Sequence, residues 1–484
     1  MTPAAPESPA GSARTTGPEK HEKPIPTGRL RRTAKVGELV GGQAIRGYAT
    51  RAANLTRSES ARQAAVARRQ IEEAEKVVDV LGHMKGIAMK VGQIASVIDL
   101  EGLPPDARDR FQAKLASLRD SAPRVSFKEM RKVIEDDLGE RLTDAFDDFD
   151  EEPVAAASIG QVYRARLDGG QEVAVKVQYP RVAAAVRADL QNIGLLLQAA
   201  KRIAPSLDAK AVAAELRQRL GDELDYEHEA EAQRGFFRRF DGHPFVVIPK
   251  VFSDVSGERV LVTEWVDGQE FEEVKSGDGD TRERFAEIVF RFFFGSLYRD
   301  GDFSGDPHPG NYKLLSDGRV AFFDFGMTKR LARERLEHEK AAIRAALAND
   351  AAGVREELAA LGFFAPEDSA IDSEQLLEYV RGLHEWHAED GPFTITREYV
   401  SALVSRSAPG SSEWQLERRL SLPPDAITSR RLETLTLGVM GQLQATANWH
   451  RIMGELLDGG APADELGRQE AAFFHSGAQT RESG

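Results

Sequence analysis

The chain has 484 residues, a net charge of −14, 41% hydrophobic and 29% charged residues, and no cysteine. The acidic balance argues against general nucleic-acid binding, which rests on Lys and Arg neutralising phosphates. The lack of cysteine excludes disulfides, thiolate metal sites and a cysteine nucleophile. The length allows two or three domains with ample core, and no apolar run approaches the ~18 residues of a membrane span. The most apolar piece, "IVFRFFFGSLY", is interrupted by Arg291. A cytoplasmic protein is expected.

Residues 1 to 27 are rich in Pro, Ser, Gly and charge and read as a disordered tail without a signal core. From Gly28 to Gln70 the chain carries ten Lys or Arg against two acids, Glu38 and Glu59. That stretch reads either as a solvated helix edge or as a basic amphipathic surface for anionic lipid, peripheral at a membrane. Residues 64 to 100 read as helix, because Val77, Leu81, Met84, Ala88, Val91, Ala95 and Ile98 recur at steps of three and four. Gly82, Gly86 and Gly92 inside it each cost about 1 kcal/mol against alanine, which suggests close approach of another backbone. Pro104 and Pro105 end the element.

From Val125 the pattern changes. "SFKEMRKVIEDDLGE" reads as a short helix, and "VAAASIGQVYRARL" and "QEVAVKVQYP" as strands around a "DGGQ" turn. Strand alternation puts Ala174 and Lys176 on one face and Val173, Val175 and Val177 on the other. A helical stretch from 181 to about 240 contains "GDELDYEHEAEAQ", whose Glu223, Asp225, Glu227, Glu229 and Glu231 form either an acidic solvent face or a source of partners for Lys176. "FVVIPKVF" and "RVLVTEWVDG" read as strands, the latter leading through Glu264 and Val266 to an expected linker, "KSGDGDTRE". Helices are expected beyond residue 282, apart from "GDFSGDPHPGNYKLLSDGRVAFFDFG" at 301 to 326.

That stretch carries the chemistry. Phosphoryl transfer needs a base or orienting group for the nucleophile and metal ions bridging phosphates, and hard Mg2+ takes oxygen ligands. Asp306, Asn311 five residues on and Asp324 of Asp-Phe-Gly at a strand end match the protein-kinase order of loop base, metal-binding amide and metal-binding carboxylate. "VAVK", ending at Lys176, matches the kinase strand whose lysine reaches the nucleotide phosphates. His308 reads as a brace for the loop or as a base.

Four further motifs carry a closer resemblance. "KVGQ" spans Lys90 to Gln93 on the glycine-bearing helix, and "AAASIGQV" spans 155 to 162 where ordinary kinases have glycines. "ELD" runs from Glu223 to Asp225, and "DPHPGN" from Asp306 to Asn311. With these the sequence resembles the ABC1/UbiB/ADCK (AarF-type) family of atypical protein-kinase-like proteins, from about Gly28 to near the C-terminus. The resemblance implies an α+β, bilobal protein-kinase-like fold with an added N-terminal helical extension and a helical C-terminal region. In that arrangement 28–124 is the extension, 125–268 the N-lobe, 269–345 the C-lobe core and 346–484 its helical remainder.

The resemblance also implies roles: ATP or ADP with Mg2+ as cofactor, Lys176 on the nucleotide with Glu229 as its ion-pair partner, Asp306 as base, and Asn311 and Asp324 as metal ligands. Ala155, Ala156, Ala157, Ser158, Glu264 and Val266 would line the nucleotide, and Glu223 and Asp225 would engage the helix of Lys90 and Gln93 over the cleft. It implies weak or absent protein-kinase activity, with ATP hydrolysis or phosphorylation of a small or lipid-like molecule in isoprenoid-quinone or lipid metabolism. One departure is Gly305 where the family usually has alanine, which makes "GDPHPGN" similar to the loop of aminoglycoside and choline kinases. A small-molecule phosphotransferase and a nucleotide-binding scaffold are the alternatives.

Overall fold

A computed structural model of the protein describes residues 125–157, 159–187, 221, 224–406, 411–421 and 423–482. The expected tail, the basic segment, the helix bearing Lys90 and Gln93, and also Ser158 and Glu223, lie outside these residues.

Helix α1 (Phe127–Leu138) buries Met130, Val133 and Ile134, and ends where Gly139 takes φ 75°. That left-handed cap is cheap only for glycine. Strands β1 (Asp148–Phe149), β2 (Ala155–Ala156), β3 (Gly160–Arg166) and β4 (Glu172–Gln178) follow. Helix α2 (Tyr226–Phe240), β5 (Val246–Val247) and β6 (Val260–Glu264) come next. One antiparallel sheet has the order β1-β3-β4-β6, with β2 paired to β3. The expected alternation holds: Val173, Val175 and Val177 are fully buried, whereas Ala174 and Lys176 face the other side. Each such side chain contributes about 1.5–3 kcal/mol on leaving water. At Gly160 the β4 backbone comes so close that a Cβ would sit 2.2 Å from the Val177 carbonyl oxygen. Any side chain there would split β3 from β4.

Beyond the sheet come α3 (Phe271–Ser276) and α4 (Gly279–Gly295), the latter continuing as a π-helical turn over Ser296–Asp300. The expected linker is therefore helical at both ends. Its Asp278, which reads as a loop residue, caps α4 by accepting a hydrogen bond from the Thr281 amide. The expected strand "FVVIPKVF" is also shorter than its apolar run, because Pro249 supplies no amide to a ladder.

Four short strands then frame the 304–326 stretch: β7 (Asp302–Ser304), β8 (Tyr312–Leu314), β9 (Val320–Phe322) and β10 (Thr328–Arg330). Strands β5, β9 and β8 form one sheet, and β7 pairs with β10. The rest is helical: α5 (Arg333–Leu347), α6 (Ala351–Ala360), α7 (Ser373–Leu383), α8 (Arg397–Ser405), α9 (Pro424–Leu443), α10 (Trp449–Asp458) and α11 (Glu465–Glu482). The valines of the first sheet share one core cluster with α1. A separate cluster gathers the phenylalanines of α4 with Phe236, Phe322, Phe325, Trp386 and Trp449. The fold is mixed helix and strand.

Candidate active site

Helix α2 holds the site together from both ends. Near its start, Lys176 Nζ on β4 donates to Glu229 Oε1 at 2.7 Å and Oε2 at 2.8 Å. Glu229 is 2% exposed and the lysine side chain 25%. Burial alone would push the ammonium's pKa down, but Glu229, then Tyr226 and Asp324, outweigh it and hold it above the ordinary value. The ammonium also lies 4.9 Å from the Tyr226 ring centre, a cation–π contact. Of the other acids on this stretch, Glu231 pairs with Arg234 at 2.6 Å and Glu227 is exposed. Asp225 caps α2, accepting from the His228 amide at 2.8 Å.

At its other end α2 reaches the catalytic loop. Arg239 Nη2 meets Asp302 Oδ2 at 2.5 Å, immediately before the loop. Phe236 packs on Phe325 with ring centres 4.8 Å apart. The fully buried Phe325 thus fixes the neighbouring Asp324 toward the lysine, and a Cβ on Gly326 would stand 3.5 Å from both Asp324 Oδ1 and Glu229 Oε2. Asp324 Oδ1 accepts from the Gly326 amide at 3.0 Å, and Ser304 Oγ donates to its carbonyl.

The β8–β9 hairpin brings Asn311 beside Asp324, since the Phe323 amide donates to the Asn311 carbonyl at 2.9 Å. Asn311 Nδ2 donates to the Asp306 carbonyl at 3.1 Å, which leaves its Oδ1 as an oxygen donor. Asp324 and Asn311 therefore present hard oxygen donors, the kind Mg2+ takes. Among the described residues no three His, Asp or Glu side chains cluster as a metal cage, so an ion held here would complete its shell with phosphate and water oxygens. His308 is exposed, and its Nδ1 accepts from the Gly310 amide at 3.1 Å, a bracing contact.

The alanine stretch lies flat on the sheet. Ala155 and Ala156 pair with Val162 and Gln161, and the Ala157 amide donates to the Gly160 carbonyl. The Ala157 amide is thus spent on the protein itself rather than left to cradle a phosphate. At the end of β6, the Glu264 amide donates to the Lys250 carbonyl and the Trp265 amide to the Glu172 carbonyl. Among the described residues Val266, next along, has no backbone partner.

Sequence reasoning missed one residue. Arg431, half-buried on α9, interacts electrostatically with Asp306. Nothing local in the sequence marks it.

The model of the ABC1 atypical kinase-like domain matches residues 117–358. The chain is 28% identical over 84% of its length to the mitochondrial atypical kinase COQ8B of Danio rerio. It is 27% identical over 90% of its length to the mitochondrial atypical kinase coq-8 of Caenorhabditis elegans. It spans 64% and 58% of the lengths of those two relatives. The structure of Rv3197 from Mycobacterium tuberculosis, solved with erythromycin, matches 82% of this chain and 98% of its own, with a TM-score of 0.59 and 28% identity. That domain match covers half the sequence, and the chain belongs to the ABC1 atypical kinase-like family.

Proposed function

We propose that the protein binds ATP or ADP with Mg2+ in the cleft beside Lys176 and hydrolyses ATP or transfers its terminal phosphoryl group to a small or lipid-like acceptor. The observation that carries this reading is the Lys176–Glu229 ion pair directed at Asp324. A cation already paired with a buried carboxylate has no structural need of the second carboxylate it faces, but a phosphate–metal complex needs both.

In this reading Lys176 contacts nucleotide phosphates, and Glu229 keeps its ammonium aimed and charged. Asn311 Oδ1 and Asp324 hold the metal, which when bound neutralises phosphate charge. Asp306 orients the attacking hydroxyl or water and accepts its proton as the new P–O bond forms and the bond to the ADP oxygen breaks. The unpaired Val266 amide receives the base edge of the nucleotide at the rim by Glu264. Ala155, Ala156 and Ala157 cover the phosphates with less freedom for close amide approach than glycines have, so the grip is weaker than that of a glycine loop. The lobes divide as 125–268 and 269–345, with the helices beyond shaping the acceptor side.

The resemblance supports a reaction in isoprenoid-quinone or lipid metabolism, and the basic composition of 28–70 supports contact with an anionic membrane. The erythromycin-bound relative favours a second reading, in which the acceptor is a soluble organic molecule. The test is ATP turnover with Mg2+ by wild type and Asp324→Ala, with and without anionic vesicles. Turnover stimulated by vesicles and lost in the variant supports a lipid-facing enzyme. Nucleotide binding without turnover in either protein would replace catalysis by a scaffold role.

A further inference from the structure

Helix α2 belongs to both cores at once. Tyr226 and Ala230, on either side of Glu229, sit in the cluster of the first sheet, whereas Phe236 and Phe240 sit in the cluster of the α4 phenylalanines. Arg239 lies in that second half, about 15 Å along the helix axis from Glu229. Its guanidinium forks onto Asp302: Nη2 donates to Oδ2 at 2.5 Å and Nη1 to the main-chain carbonyl at 3.0 Å. Both side chains are mostly buried, 19% and 16% exposed. Asp300 Oδ2 stands 3.6 Å from Nη1, and the Phe236 ring centre lies 4.9 Å from the guanidinium carbon.

Asp302 is a junction of three chain segments. It stands on β7 four residues before Asp306, and it receives Arg239 from α2. It also faces Arg330 of β10 in the strand register, whose Nη2 lies 3.2 Å from the same Oδ2. Arg330 in turn stands six residues after Asp324. The Arg330 side chain is 78% exposed, so its contact adds little, whereas a mostly desolvated two-point fork is both stronger and directional. Direction is what the neighbouring contact lacks. The Phe236–Phe325 packing holds α2 against the loop but leaves the helix able to turn about its axis, and turning would carry Glu229 off Lys176.

We propose that Arg239 is a positioning residue, which fixes the rotation of α2 on Asp302 and thereby keeps Glu229 on Lys176 while holding the chain that leads to Asp306. One fork then sets the lysine of the first sheet and the loop carboxylate in a single register. Its effect on the ion pair stands by itself; its effect on turnover rests on the nucleotide reading above. Arg239→Lys keeps the charge but not the planar fork, so it holds α2 less firmly.

The experiment is trace acetylation of the full chain with acetic anhydride, read by mass spectrometry at Lys176 and Lys340, for wild type, Arg239→Gln, Arg239→Lys and Asp302→Asn. Only an uncharged amine reacts, and Glu229 keeps the Lys176 ammonium charged. Lys340, buried on α5, reports general opening of the fold. Loss of the fork predicts Lys176 labelling faster by about threefold or more in Arg239→Gln and Asp302→Asn, with Arg239→Lys between and Lys340 unchanged. Should Arg239→Gln not fold, Arg239→Lys against wild type decides by the same two lysines. In ATP turnover, kcat should fall about tenfold in Arg239→Gln, and Arg239→Gln/Asp302→Asn should be no slower than the slower single variant, because each change already breaks the fork. Lys176 labelling equal in Arg239→Gln and wild type would overturn the inference, and so would Lys176 and Lys340 accelerating together. Faster labelling of Lys176 alone in Arg239→Gln, with no turnover in wild type, would uphold the positioning role and overturn the turnover reading instead.

Discussion

Lys176 and Glu229 come from segments far apart in sequence, and their contact is what a mutation there would measure. Glu229 is almost fully buried, so Lys176→Met leaves a carboxylate without its cation beside Asp324. Removing one member of a buried pair costs about 3–5 kcal/mol, less here because the lysine is a quarter exposed. We therefore expect Lys176→Met to be less stable to urea than the double variant Lys176→Met/Glu229→Gln by about 2 kcal/mol, since the second change removes the stranded charge. Equal midpoints would mean the pair is not coupled. The residues of this pair, like Asp306, Asn311 and Asp324, could be read from sequence because their chemistry fixes residue type and spacing. Which of five neighbouring acids meets the lysine could not be fixed by spacing alone, since the answer depends on the rotation of α2 against the sheet. Arg431 was invisible for a similar reason: nothing local marks it, and the influence of Asp306 on it depends on the folded chain.

At the level of elements, periodicity found α1, β3, β4, β6 and β9, where one face is buried and the other is not. It misjudged the Gly- and Asp-rich stretch before α4, because the residues that break a chain into loops are also those that cap helices. It also could not say how the terminal helices attach. Arg291, the charge that interrupts the most apolar run, is fully buried on α4 and meets Glu287 at 2.6 Å, Glu455 at 2.9 Å, and Asp464 and Glu470 at 3.2 Å. One guanidinium thus binds α4 to α10 and α11. Burial pushes the Glu287 carboxyl up to about 7, against the pull of Arg291, and its hydrogen bond to Asp464 lets the two share a proton and lowers the excess negative charge. Nearby Arg299 adds a bond to Glu470 at 2.9 Å and lies 3.7 Å from the Phe474 ring centre. Arg291→Met should leave these acids mutually repelling and cost about 4 kcal/mol. The loss should be local first: hydrogen exchange of residues 465–476 should accelerate well before that of β3 and β4. Uniform acceleration would show that the clamp supports the whole fold and not one attachment.

Across the described residues, a second set of charges that bears on stability lies in the helical layer away from the cleft. A cavity of about 50 Å³ between α5, α7 and α9 is lined by Tyr298, Glu339, His384, Ser429, Arg430 and Glu433. Burial, then Glu433, pushes the Glu339 carboxyl up to about 7, against Arg335 and Arg430 and a hydrogen bond from Ser429. Burial raises Glu433 as well, against the hydrogen bond from Tyr298 and the charge of Arg430. His384 does not help, because burial and then Arg430 lower it to about 3 and keep it neutral. The linkage follows from the sign of these shifts. Between the ordinary 4.5 of a glutamic acid and about 7, the folded chain keeps a proton on Glu339 that the unfolded chain has lost. Its contribution is full below about 4.5, falls as pH rises through that window and levels off above about 7. The gap corresponds to an upper bound of about 3 kcal/mol for an isolated group, reduced by its coupling to Glu433. Glu287 has the same sign and window. The unfolding midpoint of wild type should therefore drop from pH 5 to pH 7.5 and flatten beyond. Glu339→Gln should drop less, retaining the share of Glu287, and at pH 8 should melt about 2–4 °C higher than wild type. Parallel curves for the two proteins would mean that Glu339 is ionised in the folded chain at neutral pH, with Arg335 and Arg430 outweighing its burial.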